Sequence, residues 1–185
     1  MKREIYVLII IAATLSTGCS VVNLGPIKQY NDDFMGGRRY LLHESVEPRE
    51  WGTDITKAKL TFEKRVSPAE LSTRIYFVAG RSAKSFGADR KGYIKIDNTI
   101  FEIQLADMSS AIRYSGSNIE SDGVLKSYDL DSQIDEKFII DLSPELVGAI
   151  LGGRRMEIRL YFGPAPATYR LAGFRFGRVR RLLNK

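Results

Sequence analysis

The chain of 185 residues has little of the material from which most catalytic sites are built: one cysteine, one histidine and one tryptophan. A single cysteine excludes a disulfide within the chain, so the fold must rest on its core alone. It equally excludes a metal site made of several thiolates. The single histidine, His43, has no second imidazole to join it, and we read it as a surface residue rather than as a general base. No Gly-x-Ser-x-Gly elbow, His-Glu-x-x-His helix or glycine-rich nucleotide loop occurs. The longest apolar run, Ile5 to Leu15, is well short of the roughly 20 residues a membrane-spanning helix requires. These gaps lead us to expect no catalytic residue, no metal and no cofactor.

What stands around the cysteine is informative. Lys2 and Arg3 precede the apolar run, and the segment Leu15-Ser16-Thr17-Gly18-Cys19 follows it. That order is a positive n-region, an apolar h-region and a small-residue cleavage site. The pentad resembles the lipobox of bacterial lipoproteins, with Leu15 one place further from Cys19 than in the commonest form. The resemblance implies cleavage between Gly18 and Cys19, lipidation of the Cys19 thiol, and attachment by acyl chains. Stable attachment takes at least two such chains; the lipoprotein family supplies three. Ser20 occupies the place where, in enteric Gram-negative lipoproteins, aspartate signals retention in the inner membrane. The resemblance therefore implies an outer-membrane protein facing the periplasm. Its implied partners are the membrane through the anchor, and an envelope protein or an anionic lipid or glycan. Nucleic acid is not expected, because an exported chain rarely meets it.

Residues 1–18 are thus expected to be a signal peptide. Residues 19–55 are expected to form the lipidated N-terminus, a tether and irregular structure, part of which packs on the domain through Tyr40-Leu41-Leu42 and Trp51. Residues 56–185 are expected to be one domain dominated by period-two alternation. Ala58, Leu60 and Phe62 alternate with lysines and Thr61, and Ile75, Phe77 and Ala79 with polar neighbours. Tyr93–Ile96 and Phe101–Leu105 flank Asp97-Asn98, which predicts a hairpin. Further strands are expected at Ala111–Ser115, Val124–Tyr128, Phe138–Leu142, Glu157–Phe162 and Leu171–Val179. Two start signals, Ser67-Pro68-Ala69-Glu70 and Ser143-Pro144-Glu145-Leu146, predict short helices, the second stopped by Gly152-Gly153. The fold class is mainly β: an antiparallel β-sandwich or partly open barrel with one or two short helices.

Charge is unevenly spread. The net charge is +6, and residues 154–185 hold nine Lys and Arg against one acid, Glu157. Residues 19–153 are correspondingly net negative. Such asymmetry points to one anion-seeking surface. Its candidate residues are Arg170, Arg175, Arg178, Arg180 and Arg181, whose planar guanidinium forks suit phosphates and carboxylates. On a strand, Arg175 would point away from a face shared by Phe174 and Phe176. The acids Asp129, Asp131, Asp135 and Glu136 read as a solvated loop, with a hard-cation site or the paired carboxylates of a cell-wall hydrolase as the lesser alternatives. The rigid run Gly163-Pro164-Ala165-Pro166 reads as a loop edged by Tyr161, Phe162 and Tyr169.

Overall fold

A computed structural model describes residues 25–32, 36–50, 54–115 and 131–185. Cys19, Trp51, Asp129 and the strand expected at Val124–Tyr128 lie outside the described residues. Ten strands and two helices are present among those described: β1 (Lys28–Asp32), β2 (Gly37–Val46), β3 (Ile55–Val66), β4 (Leu71–Ser82), β5 (Ala88–Ile96), β6 (Thr99–Gln104), β7 (Ala106–Ser115), β8 (Asp131–Asp141), α1 (Pro144–Gly152), β9 (Arg155–Phe162), β10 (Ala165–Ala172) and α2 (Gly173–Leu183). The strands form two antiparallel sheets, in the orders β1-β2-β3-β4-β8-β7 and β10-β9-β5-β6. The expected β class is what is found, as open sheets rather than a closed barrel.

Alternation explains the core. Ala58, Leu60 and Phe62 of β3 turn inward with Ile75, Phe77 and Ala79 of β4, and Met156, Ile158, Leu160 and Phe162 of β9 face them from the second sheet. Phe77 joins the layers: it stacks on Phe138 at 4.8 Å and meets the Tyr169 ring edge-on at 5.1 Å. Burial pushes the Tyr169 phenol well above its ordinary pKa, with the Glu50 charge adding to the effect. Each fully buried ring of this kind contributes a few kcal/mol through the area it removes from water.

The chain crosses between the sheets at both rims. On one side β6 leads to β7 through Leu105 alone, whose N–H bonds the Arg90 carbonyl at 2.8 Å. On the other, residues just beyond β2 reach β10: Pro48 bridges Tyr169, and the Arg49 N–H bonds the Thr168 carbonyl at 2.9 Å.

Local signals that depend on nearby residues hold. Asp97-Asn98 makes the β5–β6 hairpin, with Asp97 at φ 51°, and its carboxylate accepts from the N–H groups of Arg154 and Arg155. Ser143 caps α1 by accepting from the Leu146 N–H at 3.2 Å, while Leu146 and Ile150 are buried.

Other expectations are corrected. Ser67–Glu70 is a tight turn between β3 and β4, not a helix, because Ser67 and Glu70 bond each other through their backbones and leave no room for a second turn. The segment expected to be tether and irregular structure supplies β1 and β2, with Tyr40 and Leu42 in the core. The run after Phe162 is a two-residue turn, Gly163-Pro164, made by Gly163 at φ 59° with Phe86 packed against it. Phe162 and Tyr169 are core residues rather than a contact rim. Asp131–Glu136 lie on β8 and not in a loop. Glu136 is buried and held by the Arg81 Nε–H at 2.7 Å.

Candidate functional site

The largest correction falls on the arginine-rich end. The stretch expected as a strand at Leu171–Val179 divides at Gly173, whose φ of 56° turns the chain out of β10 and into α2. Phe176, Val179, Leu182 and Leu183 recur three, three and one residues apart and are all buried. This is a helical stripe, not an alternating one. It packs the helix on β2, β3, β9, β10 and α1. Phe174 and Phe176 therefore part company: Phe174 is 64% exposed while Phe176 is in the core. At the C-terminal end, Arg180 and Arg181 complement the helix dipole, and the Lys64 ammonium donates to the Leu183 carbonyl at 2.6 Å.

The helical turn separates the five candidate arginines. Arg170 lies on β10, 3.9 Å from Glu157, which Arg49 also contacts at 3.1 Å. Arg175 is half-buried and donates to the Ser45 carbonyl at 3.1 Å. Arg178 points inward, opposite Glu44 at 3.1 Å, and donates to the Gly25 carbonyl. It is an internal cation and not part of an open anion-binding surface. Only Arg180 and Arg181 stand on the exposed stripe, where the Arg181 guanidinium lies 5.5 Å from the centre of the Phe174 ring.

Beside this stripe runs the N-terminal chain. Gly25, Pro26 and Ile27 line a cleft of 760 Å³ together with Phe174, Arg181 and Lys185. Arg178 lines the cleft too, and it forms a buried pair with Glu44. Their distance fits an ion pair, yet neither Glu44 oxygen receives a hydrogen bond in good alignment. Burial consequently raises the Glu44 pKa above the usual carboxylate value, although the charges of Arg178 and Arg175 pull it down.

A second concavity, of 320 Å³, lies on the outer face of the four-stranded sheet. Register creates it: Tyr93 of β5 stands opposite Arg159 of β9, which stands opposite Thr168 of β10. The Arg159 Nε–H donates to Thr168 Oγ1 at 3.0 Å, and Tyr93 meets Tyr161 edge-on at 6.3 Å. The Thr168 N–H donates to Glu50 at 2.6 Å. Burial works against the charge on Glu50, but the hydrogen bonds from Thr168, its own backbone and nearby Arg159 together hold its pKa below the usual value. Sequence reasoning missed this groove, because its members are single outward residues on three strands. Their only common signal is alternation, which does not reveal register.

The remaining polar candidates are engaged structurally. His43 lies on β2, where its Nδ1 is 2.9 Å from Thr61 Oγ1. Glu63 is buried between Arg39 and Arg65, at 2.5 and 3.3 Å. Among the described residues, no three His, Cys, Asp or Glu side chains gather as metal ligands, and no helix is long and apolar enough to cross a membrane. No protein-family model, curated protein or solved structure matches this chain.

Proposed function

We propose that this protein is a lipid-anchored component of the bacterial cell envelope, facing the periplasm from the outer membrane and acting by binding rather than by catalysis. The observation that carries the reading is the lipobox-like Leu15–Cys19 segment placed six residues ahead of Gly25, where the chain meets α2. A β-rich domain set directly behind an acylated cysteine suits a module that presents surfaces to envelope partners. The engagement of His43, Glu63 and Glu136 in contacts within and between strands favours a structural use of these groups. Among the described residues, the basic stripe of α2 and the tyrosine-lined groove on the four-stranded sheet are two surfaces suited to such binding.

The test is metabolic labelling with palmitate in a Gram-negative host, followed by separation of inner and outer membranes. The wild-type chain is expected to take up label and band with the outer membrane. Cys19→Ser is expected to take up none and to keep its signal peptide. A wild-type chain that is unlabelled and released to the periplasm would overturn the reading.

A further inference from the structure

We infer that the exposed stripe of α2 rests on the bilayer and binds the headgroups of anionic phospholipids. This deepens the anchoring reading and rests on it. Cys19 precedes Gly25 by six residues, and six extended residues reach about 20 Å at most. Gly25 is pinned beside α2 through Arg178 and shares a cleft with Phe174, Arg181 and Lys185. An acyl group on Cys19 therefore brings this side of the protein to the membrane before any other.

The chemistry of that side agrees. On α2 and at its C-terminal end Arg180, Arg181 and Lys185 are exposed, and no residue from Gly173 to Lys185 is acidic. Arg175 and Arg178 are held by protein carbonyls, which leaves Arg180 and Arg181 exposed on the stripe. Phe174 stands beside them at 64% exposure. An aromatic ring flanked by guanidinium groups is the side-chain set that settles at the headgroup level of a bilayer. Attraction of a basic residue to an anionic leaflet fades beyond about 8 Å at physiological ionic strength. The tether, about 20 Å at full extension, lets the stripe come within that range, and the charges then hold it there. Each such residue is expected to strengthen surface association about fivefold.

The chain supplies a convenient probe, because Cys19 is its only cysteine and acylation consumes it. Asn184, on the rim of the cleft, is replaced by cysteine in the full chain. The processed protein is labelled there with a polarity-sensitive fluorophore and placed in nanodiscs of phosphatidylcholine, with or without phosphatidylglycerol. A matched label at Ile112→Cys, an exposed position on edge strand β7, serves as the distant control.

The expected result is a blue shift at position 184 in anionic discs only, lost in Arg180→Glu/Arg181→Glu and absent at position 112. An anchored chain whose label stays water-like in both discs would overturn the inference while leaving the anchor standing. Equal shifts in neutral and anionic discs, indifferent to charge reversal, would overturn the headgroup assignment. Shielding found in native envelopes but never in protein-free discs would give the face to a protein partner and overturn it as well. Labelling of Cys19 in the otherwise unaltered chain would show an unmodified thiol, and would overturn the anchoring reading itself.

Discussion

Arg178 and Glu44 face each other across 3.1 Å inside the protein, with side chains only 5% and 1% exposed. A helix and a strand thus meet through two opposite charges, at a point where sequence pattern alone would place apolar side chains. The pair couples α2 to β2, and through the Gly25 carbonyl it holds the start of the described chain as well. Removing one partner leaves the other charged and buried, which typically costs about 3–5 kcal/mol. Arg178→Ala is expected to lower the urea unfolding free energy by that order. Joint replacement, Arg178→Met with Glu44→Leu, is expected to recover most of the loss. If the double variant proves as unstable as the single one, packing around the pair and not its charge dominates.

The same carboxyl gives a pH dependence. Its folded-state pKa is raised by burial, so the folded protein holds that proton more tightly than the unfolded chain does. The resulting stabilisation is complete below the ordinary glutamate value of the unfolded chain. It is lost as pH rises through the higher folded value. Glu44→Gln should flatten this limb of the stability profile, measured by denaturant titration from pH 4 upward. An unchanged profile would assign the limb to other groups.

Glu50 should act with the opposite sign. Its carboxylate accepts the Thr168 N–H and its pKa is lowered. The stability it contributes is present above the unfolded value and is lost as pH falls through the lower folded value. Acidification should therefore loosen the 48–50 segment from β10 before global unfolding. Amide exchange at Thr168 and Arg49, faster in acid after correction for intrinsic rates, is the expected sign. Equal protection at neutral and acid pH would refute it.

Phe174 and Phe176 separate helix from strand by experiment. Phe176 is 1% exposed and Phe174 is 64% exposed. Phe176→Ala is expected to cost about 3–5 kcal/mol, and Phe174→Ala no more than about 0.5 kcal/mol. A strand with both rings on one face would instead give two similar losses. Thermal or urea melts of the two variants decide the matter.

The contrast shows what the sequence made legible. The Asp97-Asn98 hairpin and the Ser143-capped helix depend on a few adjacent residues, and both were readable. The α2 segment carried two conflicting signals. Phe174, Phe176 and the arginine between them imitate a strand, while Phe176, Val179, Leu182 and Leu183 spell a helix that becomes visible only when the window extends past Val179. Gly173, at φ 56°, divides the two. β1 was hidden because Lys28–Asp32, at the sheet edge, has almost no apolar residue to bury. The acids of β8 looked like a solvated loop because Arg81, which neutralises Glu136, lies 55 residues away. The arginines stand together in the sequence, but their division between core and surface depends on helical rotation and on Glu44. The tyrosine-lined groove depends on register across three strands, which composition does not carry.

The crossings at the two rims have a mechanical consequence. One residue, Leu105, ties the β6 edge to β7, while Pro48 and Arg49 fasten the chain beyond β2 to β10. The first link is the covalent chain and the second a main-chain hydrogen bond, so sliding one sheet along the other would strain a one-residue crossing at one rim and break the Arg49–Thr168 bond at the other. A pull on one layer is thus expected to reach the other through both rims.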